Sequence, residues 1–145
     1  MPEARVVFQK NTFSDAELKR LKASLKIAIA HHMHCKDDEL EEFDPDKHID
    51  LGFFPYQEGH GDYTAVMLVT IITYGAPSRL TNLNDRLRAI RDYVLTHNRD
   101  LLEAKRKPIE QTVSPGCREV MQDAISITFL PKPWGTPWKR GWVCG

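Results

Sequence analysis

The sequence predicts an α+β domain built from two β-α-β units, a four-stranded sheet with both helices on one face. Short β-prone runs and longer apolar stripes at helical spacing follow one another in the order strand, helix, strand, then strand, helix, strand. The chain has 145 residues, enough to bury one core, and is read as a single domain over 1–145 with an aromatic, proline-rich tail over 131–145. Hydrophobic residues make up 41% and charged residues 28%, the balance of an ordinary globular chain.

The first strand is expected over Arg5 to Gln9. Ser14 and Glu17 have the spacing of a capping box, and Leu18, Leu21, Leu25, Ala28 and Ile29 mark the apolar stripe of a helix that fades near His34. Asp37 to Asp46 holds seven carboxylates in ten positions and reads as an exposed loop. His48 to Phe54 is expected as the second strand, and Pro55 to Asp62, with Gly59 and Gly61, as a turn. Tyr63 to Tyr74 is the strongest strand, apolar on both alternations, so both of its faces are expected to be covered. Gly75, Ala76 and Pro77 end it. The second helix is expected to start between Ser78 and Asn82, with Leu83, Leu87, Ile90 and Val94 as its core face, and to break over Lys105 to Pro115. Cys117 to Gln122 reads as one more helical turn, and Ala124 to Leu130 as the last strand. Right-handed crossovers put both helices on one side of the sheet. With no third helix, the other side needs a cover, and a second copy of the chain is the expected one.

Composition removes several classes of function. The 20 basic and 20 acidic residues give zero formal net charge, which argues against a nucleic-acid partner. The apolar run Thr64 to Tyr74 is too short to span a membrane, and the first residues lack the apolar core of a secretory signal. Cys35, Cys117 and Cys144 show no CxxC spacing, so reduced thiols in a cytoplasmic protein are expected. His31, His34 and Cys35 share a helix face with His32 beside them. Zinc normally takes three or four ligands and a second shell, and no HExxH is present, so these are read as polar residues at a helix end and no metal is expected. Walker, GxGxxG and GxSxG signals are absent, and no cofactor is expected. Cys117 has no histidine near it in sequence.

Pro2 is the first candidate for chemistry. Removal of Met1 exposes a secondary amine at the head of a strand. An α-amino group titrates at about 7.7–8.0, and an apolar pocket or a neighbouring cation favours its neutral form. Such an amine is suited to general-base work or to iminium formation. If Met1 stays, the nitrogen is an amide and does neither. Many chains begin Met-Pro with no catalytic consequence.

Pro2, the strand directly after it and the repeated β-α-β pattern resemble the tautomerase superfamily. Gly61-Asp62-Tyr63 leading into a strand, then Tyr74-Gly75-Ala76-Pro77-Ser78-Arg79, looks like its 5-carboxymethyl-2-hydroxymuconate isomerase branch, most clearly from Gly59 to Asn98. The resemblance implies two fused β-α-β copies and a trimer. It also implies proton transfer on a small 2-hydroxydienoate or 2-oxo acid by Pro2, with Arg79 binding the substrate carboxylate. A planar guanidinium suits that task, because it binds both oxygens at once. Without a substrate, Arg79 is simply an exposed residue in a helix's first turn.

The chain departs from the family pattern in three places. Near the second strand only Lys47 and His48 stand where the branch offers a second arginine. Glu3 puts a carboxylate beside Pro2. The loop from Lys105 to Val120 is longer than the plain fold needs. Family tails line pockets across subunit boundaries, so Trp134 and Trp138 are candidates to close the site. Together with Trp142 they serve equally as interface area. Phe53, Phe54 and Tyr56 are pocket wall or ordinary core. The expected partners are a small carboxylate and further copies of the chain, with neither nucleic acid nor membrane. The alternatives are a proline-dependent hydratase or dehalogenase, or a non-catalytic ferredoxin-like binding or oligomeric module.

Overall fold

The computed structural model of the chain describes residues 2–56, 66–112 and 124–132, with side chains described only as far as 106 in the middle stretch. Strand β1 (Glu3–Gln9) leads through a turn, where Asn11 takes a φ of 65°, to helix α1 (Asp15–Met33). The helix starts where the capping box predicts. Ser14 Oγ accepts from Glu17 N at 3.2 Å, and Glu17 Oε1 accepts from Ser14 N at 2.9 Å. Ser14→Ala leaves an orphan donor in the first turn and is expected to cost about 1 kcal/mol, readable as a shift in the urea midpoint. Of the expected stripe, Leu21, Leu25, Ala28 and Ile29 are buried and Leu18 is half-buried, and Ala30 and Met33 are buried beside them.

The acidic segment is not wholly loop. Asp44 caps a one-turn helix α2 (Pro45–His48), its carboxylate accepting from Asp46 N at 2.9 Å and Lys47 N at 3.3 Å, with Pro45 in the first helical turn. His48 therefore belongs to this helix, and strand β2 runs Asp50–Tyr56, two residues later than expected.

Strand β3 is Met67–Tyr74, and the expected start at Tyr63 lies outside the described residues. A one-turn helix α3 (Pro77–Leu80) precedes the long helix α4 (Leu83–Thr112). The break in α4 comes at Asn98, not after Lys105. Asn98 has φ −133° and ψ 23°, and its wholly buried side chain donates to Val94 O at 2.9 Å and Ser24 Oγ at 3.0 Å. A side-chain amide that bonds the carbonyl four residues back competes with the helix's own ladder. Arg20 donates to His97 O at 2.9 Å and so holds α1 against the kink. Strand β4 is Ile125–Lys132. The expected helical turn over Cys117 to Gln122 and the tail tryptophans lie outside the described residues.

The sheet order is β2-β1-β3-β4. β1 runs parallel to β2 and antiparallel to β3, and β3 runs parallel to β4, so each β-α-β unit supplies one parallel pair. Both long helices lie on one face, over Ala4, Val6, Phe8, Leu51, Met67, Val69, Ile71 and Ile125. The opposite alternation carries Arg5, Val7, Phe54, Leu68, Thr70, Ile72, Tyr74 and Leu130. Among the described residues nothing covers that face: Leu130 is 55% and Phe54 52% exposed. Among the described residues of one chain, the cover on β3 comes from the helix side. No helix among the described residues is long and apolar enough to cross a membrane.

Candidate functional site at the head of the first strand

The β-α-β connections send one end of the sheet a distinctive set of groups: the start of β1, the start of β2, the ends of β3 and β4, and the C-terminus of α1. Pro2 stands at this end and is buried. Its carbonyl accepts from Asp50 N at 3.1 Å, which ties the head of β1 to the head of β2. The Glu3 carboxylate alternates to the open face and pairs with Arg5 Nε at 3.2 Å. Its negative charge is thereby partly answered within β1.

Arg79 does not stand exposed in a helix's first turn. Its side chain is fully buried. Nε donates to Met33 O at 2.7 Å, Nη1 to Tyr74 O at 2.5 Å, and Nη2 to both oxygens of Asp38 at 2.7 Å. Beside it Ser78 donates from N at 3.1 Å and from Oγ at 2.5 Å to Asp37 Oδ2, and these bonds hold the Asp37 carboxyl below its usual range. Arg86 adds a second guanidinium, Nη1 donating to His32 O and His34 O, both at 2.7 Å. The two arginines satisfy the last carbonyls of α1, where the helix dipole favours positive charge. The turn after β3 thus clamps the end of α1 through Asp37, Asp38, Arg79 and Arg86. The expectation that Arg79 offers its fork to a substrate meets a physical obstacle: the guanidinium has no exposed edge, and Asp38 already holds Nη2.

The remaining candidates separate. His48 is half-buried at this end, and its Nδ1 accepts from Asp44 N at 2.7 Å, so the neutral ring carries its proton on Nε2. Phe53 lies on the helix face with its ring edge-on to Phe8 at 5.9 Å, and packs against the core. Tyr56 pairs with Gln9 at the other end of β2, roughly 20 Å from Pro2 along the strand. Within one chain, then, neither Phe53 nor Tyr56 joins Pro2. Trp134 and Trp138 lie outside the described residues. The histidine cluster resolves into separate roles. His31 and His32 meet edge-on at 4.7 Å, while His34 sits on Phe43 at 5.1 Å and bonds Leu40 O at 2.7 Å. No group of three metal-ligating side chains occurs among the described residues.

Burial, then His31 and Arg86, pull the His32 pKa below its ordinary value of 6.5. The folded state therefore binds this proton less readily than the unfolded chain. The His32 contribution is complete above about pH 6.5 and fades as pH falls through that value toward the folded pKa. The melting temperature is expected to drop between pH 7.5 and pH 5, and His32→Gln is expected to flatten that drop.

Sequence reasoning missed the clamp. Asp37 and Asp38 belong to a run whose composition reads as solvated surface, and no spacing rule links them to Ser78 and Arg79, 41 residues on.

No family model and no curated protein matches the chain. Solved structures do. A fused 4-OT protein described as a wild-type asymmetric trimer superposes with a TM-score of 0.54 at 7% identity, covering 90% of this chain and 86% of that one. A native fused 4-OT superposes with a TM-score of 0.50 at 11% identity, covering 89% and 87%. Such identities speak to architecture and not to residues in common. The mixed four-stranded sheet, its paired β-α-β units and these superpositions give this chain the fold of the tautomerase superfamily.

Proposed function

We propose that the chain is a tautomerase that moves a proton between carbon and oxygen of a small 2-hydroxydienoate or 2-oxo acid, with the amino-terminal Pro2 as general base. The observation that carries this reading is the burial of Pro2 at the head of a central strand in this fold. A secondary amine there is shielded from water, which favours its neutral form and so its use as a base. No cofactor is needed for such a proton shift.

In this reading Arg79 acts through position. It fixes Tyr74 O at the end of β3, the strand end beside Pro2, and it receives a substrate carboxylate only if Asp38 gives way. His48 is the polar donor at the head of β2, and Trp134 and Trp138 shield the site. The apolar share of the open face, with Phe54 and Leu130 exposed, fits burial against further copies. A trimer is the assembly we propose, because a fused 4-OT of the same fold is described as one.

The captivity of Arg79 supports a second reading, a non-catalytic module in which Pro2 is incidental. Ketonisation of phenylenolpyruvate and 2-hydroxymuconate separates the two, on protein whose intact mass shows Met1 removed. Turnover that disappears in Pro2→Ala supports the tautomerase. Its absence from a Pro-terminal protein leaves the module.

A further inference from the structure

The end of the sheet that carries Pro2 also carries a buried hydroxyl. Thr73, the last residue but one of β3, is 2% exposed, and its side chain has no hydrogen-bond partner among the described residues. The β1–β3 register pairs Ala4 with Ile71 and Glu3 with Ile72, so one further step sets Pro2 opposite Thr73. Both lie on the helix-covered alternation, with Ala4, Val6 and Ile71. Across β3 and β4 the partner of Thr73 is Pro131.

The described neighbours of Thr73 on that face offer it nothing. Ala4, Ile71 and Phe129 are apolar, and the threonine is flanked by Pro2 on one strand and Pro131 on the other. A proline ring has no hydrogen-bonding atom to spare, and a proline nitrogen inside a chain has no hydrogen. The next carbonyl along β3, Tyr74 O, already accepts from Arg79. A hydroxyl buried without a partner costs stability. Removal of Met1 changes this inventory at one atom, because Pro2 N becomes a secondary amine with one N–H and one lone pair.

We propose that Thr73 Oγ1 accepts the N–H of the mature Pro2 amine and so aims its lone pair at the substrate. This rests on the reading of Pro2 as the base. Residues directly opposite on antiparallel strands have Cβ atoms about 4.5–5.5 Å apart, a span that one hydrogen bond between a hydroxyl and the amine fits. The Pro2 carbonyl is tied to Asp50 N at 3.1 Å, so the residue is held at both ends. Thr73 keeps the amine's own hydrogen and transfers no proton: the lone pair takes the enol proton, and the amine returns a proton to carbon. Thr73 is therefore a positioning residue.

An acceptor bonds the ammonium more strongly than the amine, so Thr73 favours the protonated form, against the pull of burial. The charged and titratable groups on the elements that meet here lie elsewhere or are engaged. Glu3, Asp50, Tyr74 and Lys132 are on the open alternation, with Glu3 paired to Arg5. Asp37, Asp38, Arg79 and Arg86 are held in the clamp, and His34 bonds Leu40 O. His48 Nδ1 accepts from Asp44 N, and Lys47 is exposed.

The test follows the Pro2 nitrogen resonance through a pH titration, on the full chain labelled at proline nitrogen and shown by intact mass to lack Met1. In Thr73→Val, which keeps the shape and removes the hydroxyl, the amine should titrate about one pH unit lower than in wild type, as for loss of a hydrogen bond to a charged group. Thr73→Ser keeps the hydroxyl and should titrate near wild type. In ketonisation of phenylenolpyruvate, Thr73→Val should lose about tenfold or more in kcat with KM within a few-fold, and the acid limb of its kcat/KM profile should move to lower pH. Thr73→Ser should restore most of the rate. A threonine that serves the packing alone would leave the titration where it is. Titration of Thr73→Val at the wild-type pH or above it overturns the proposal, and so does Thr73→Ser titrating with Thr73→Val. If Thr73→Val is silent while Pro2→Ala abolishes turnover, the contact is wrong and the proline base stands. If Thr73→Val lowers the titration while Pro2→Ala turns over normally, the contact stands and the base is wrong.

Discussion

Arg79→Ala is expected to lower the stability of the folded chain by about 3–5 kcal/mol, because it strands a partner of a buried ion pair. Three groups are deprived at once. Asp38, whose side chain is only 12% exposed, has no counter-charge in the variant. Met33 O at the end of α1 and Tyr74 O at the end of β3 each go without a donor. A destabilisation of that size is a large part of the 5–15 kcal/mol that holds a typical domain together, so the variant should melt far earlier or fail to accumulate. Urea denaturation of Arg79→Ala, Asp38→Ala and the double variant checks the account. The double variant should cost clearly less than the sum of the singles, since removing both charges leaves neither unpaired. Arg79→Ala within about 0.5 kcal/mol of wild type, the range of an ordinary surface substitution, would show that the clamp does not form. The result bears on function too. Lost activity in Arg79→Ala says nothing about substrate binding unless the variant is shown to be folded, and Arg79→Lys, which keeps the charge without the planar fork, is the more informative comparison.

Pro2→Ala is expected to reduce kcat/KM for ketonisation by about 10²–10⁴-fold, the range that a positioned general base contributes. Its effect on stability should be small. The bond from Asp50 N ends on the main-chain carbonyl of residue 2, and any residue supplies that acceptor. An alanine terminus also keeps an amine, a primary one, so the residual rate measures what the pyrrolidine ring adds. A variant that folds normally and loses turnover separates chemistry from architecture in a way that no Arg79 variant can.

The sequence announces what is local and periodic. The capping box at Ser14 and Glu17, the stripe from Leu21 to Ile29, and the alternation in β4 each rest on neighbours within a few residues, and each appears close to where it is expected. The two-unit architecture follows from their order. Short-range capping chemistry was present and unread at Asp44-Pro45, which is why β2 starts two residues later than its apolar pattern suggests. Long-range polar pairing was not legible at all. Asp38 looks like any other member of an acidic run until the fold sets it against Arg79. The kink at Asn98 has the same origin, for its side chain reaches Ser24 on the other helix. Of the candidate site, the sequence names the proline and the turn that carries Arg79. It leaves unread that the turn's arginine is spent on holding α1 in place.

The central claim is that the free amine of Pro2 is the base, and one comparison addresses it without altering any side chain. Two preparations of the same sequence, one with Met1 removed and one with Met1 retained, each verified by intact mass, should be assayed for ketonisation of phenylenolpyruvate at equal folded concentration. The account predicts turnover in the Pro-terminal protein and at least about a hundredfold less in the other, where the nitrogen is an amide and accepts no proton. Equal turnover in both preparations would contradict it and return Pro2 to the role of a buried residue at the start of a strand.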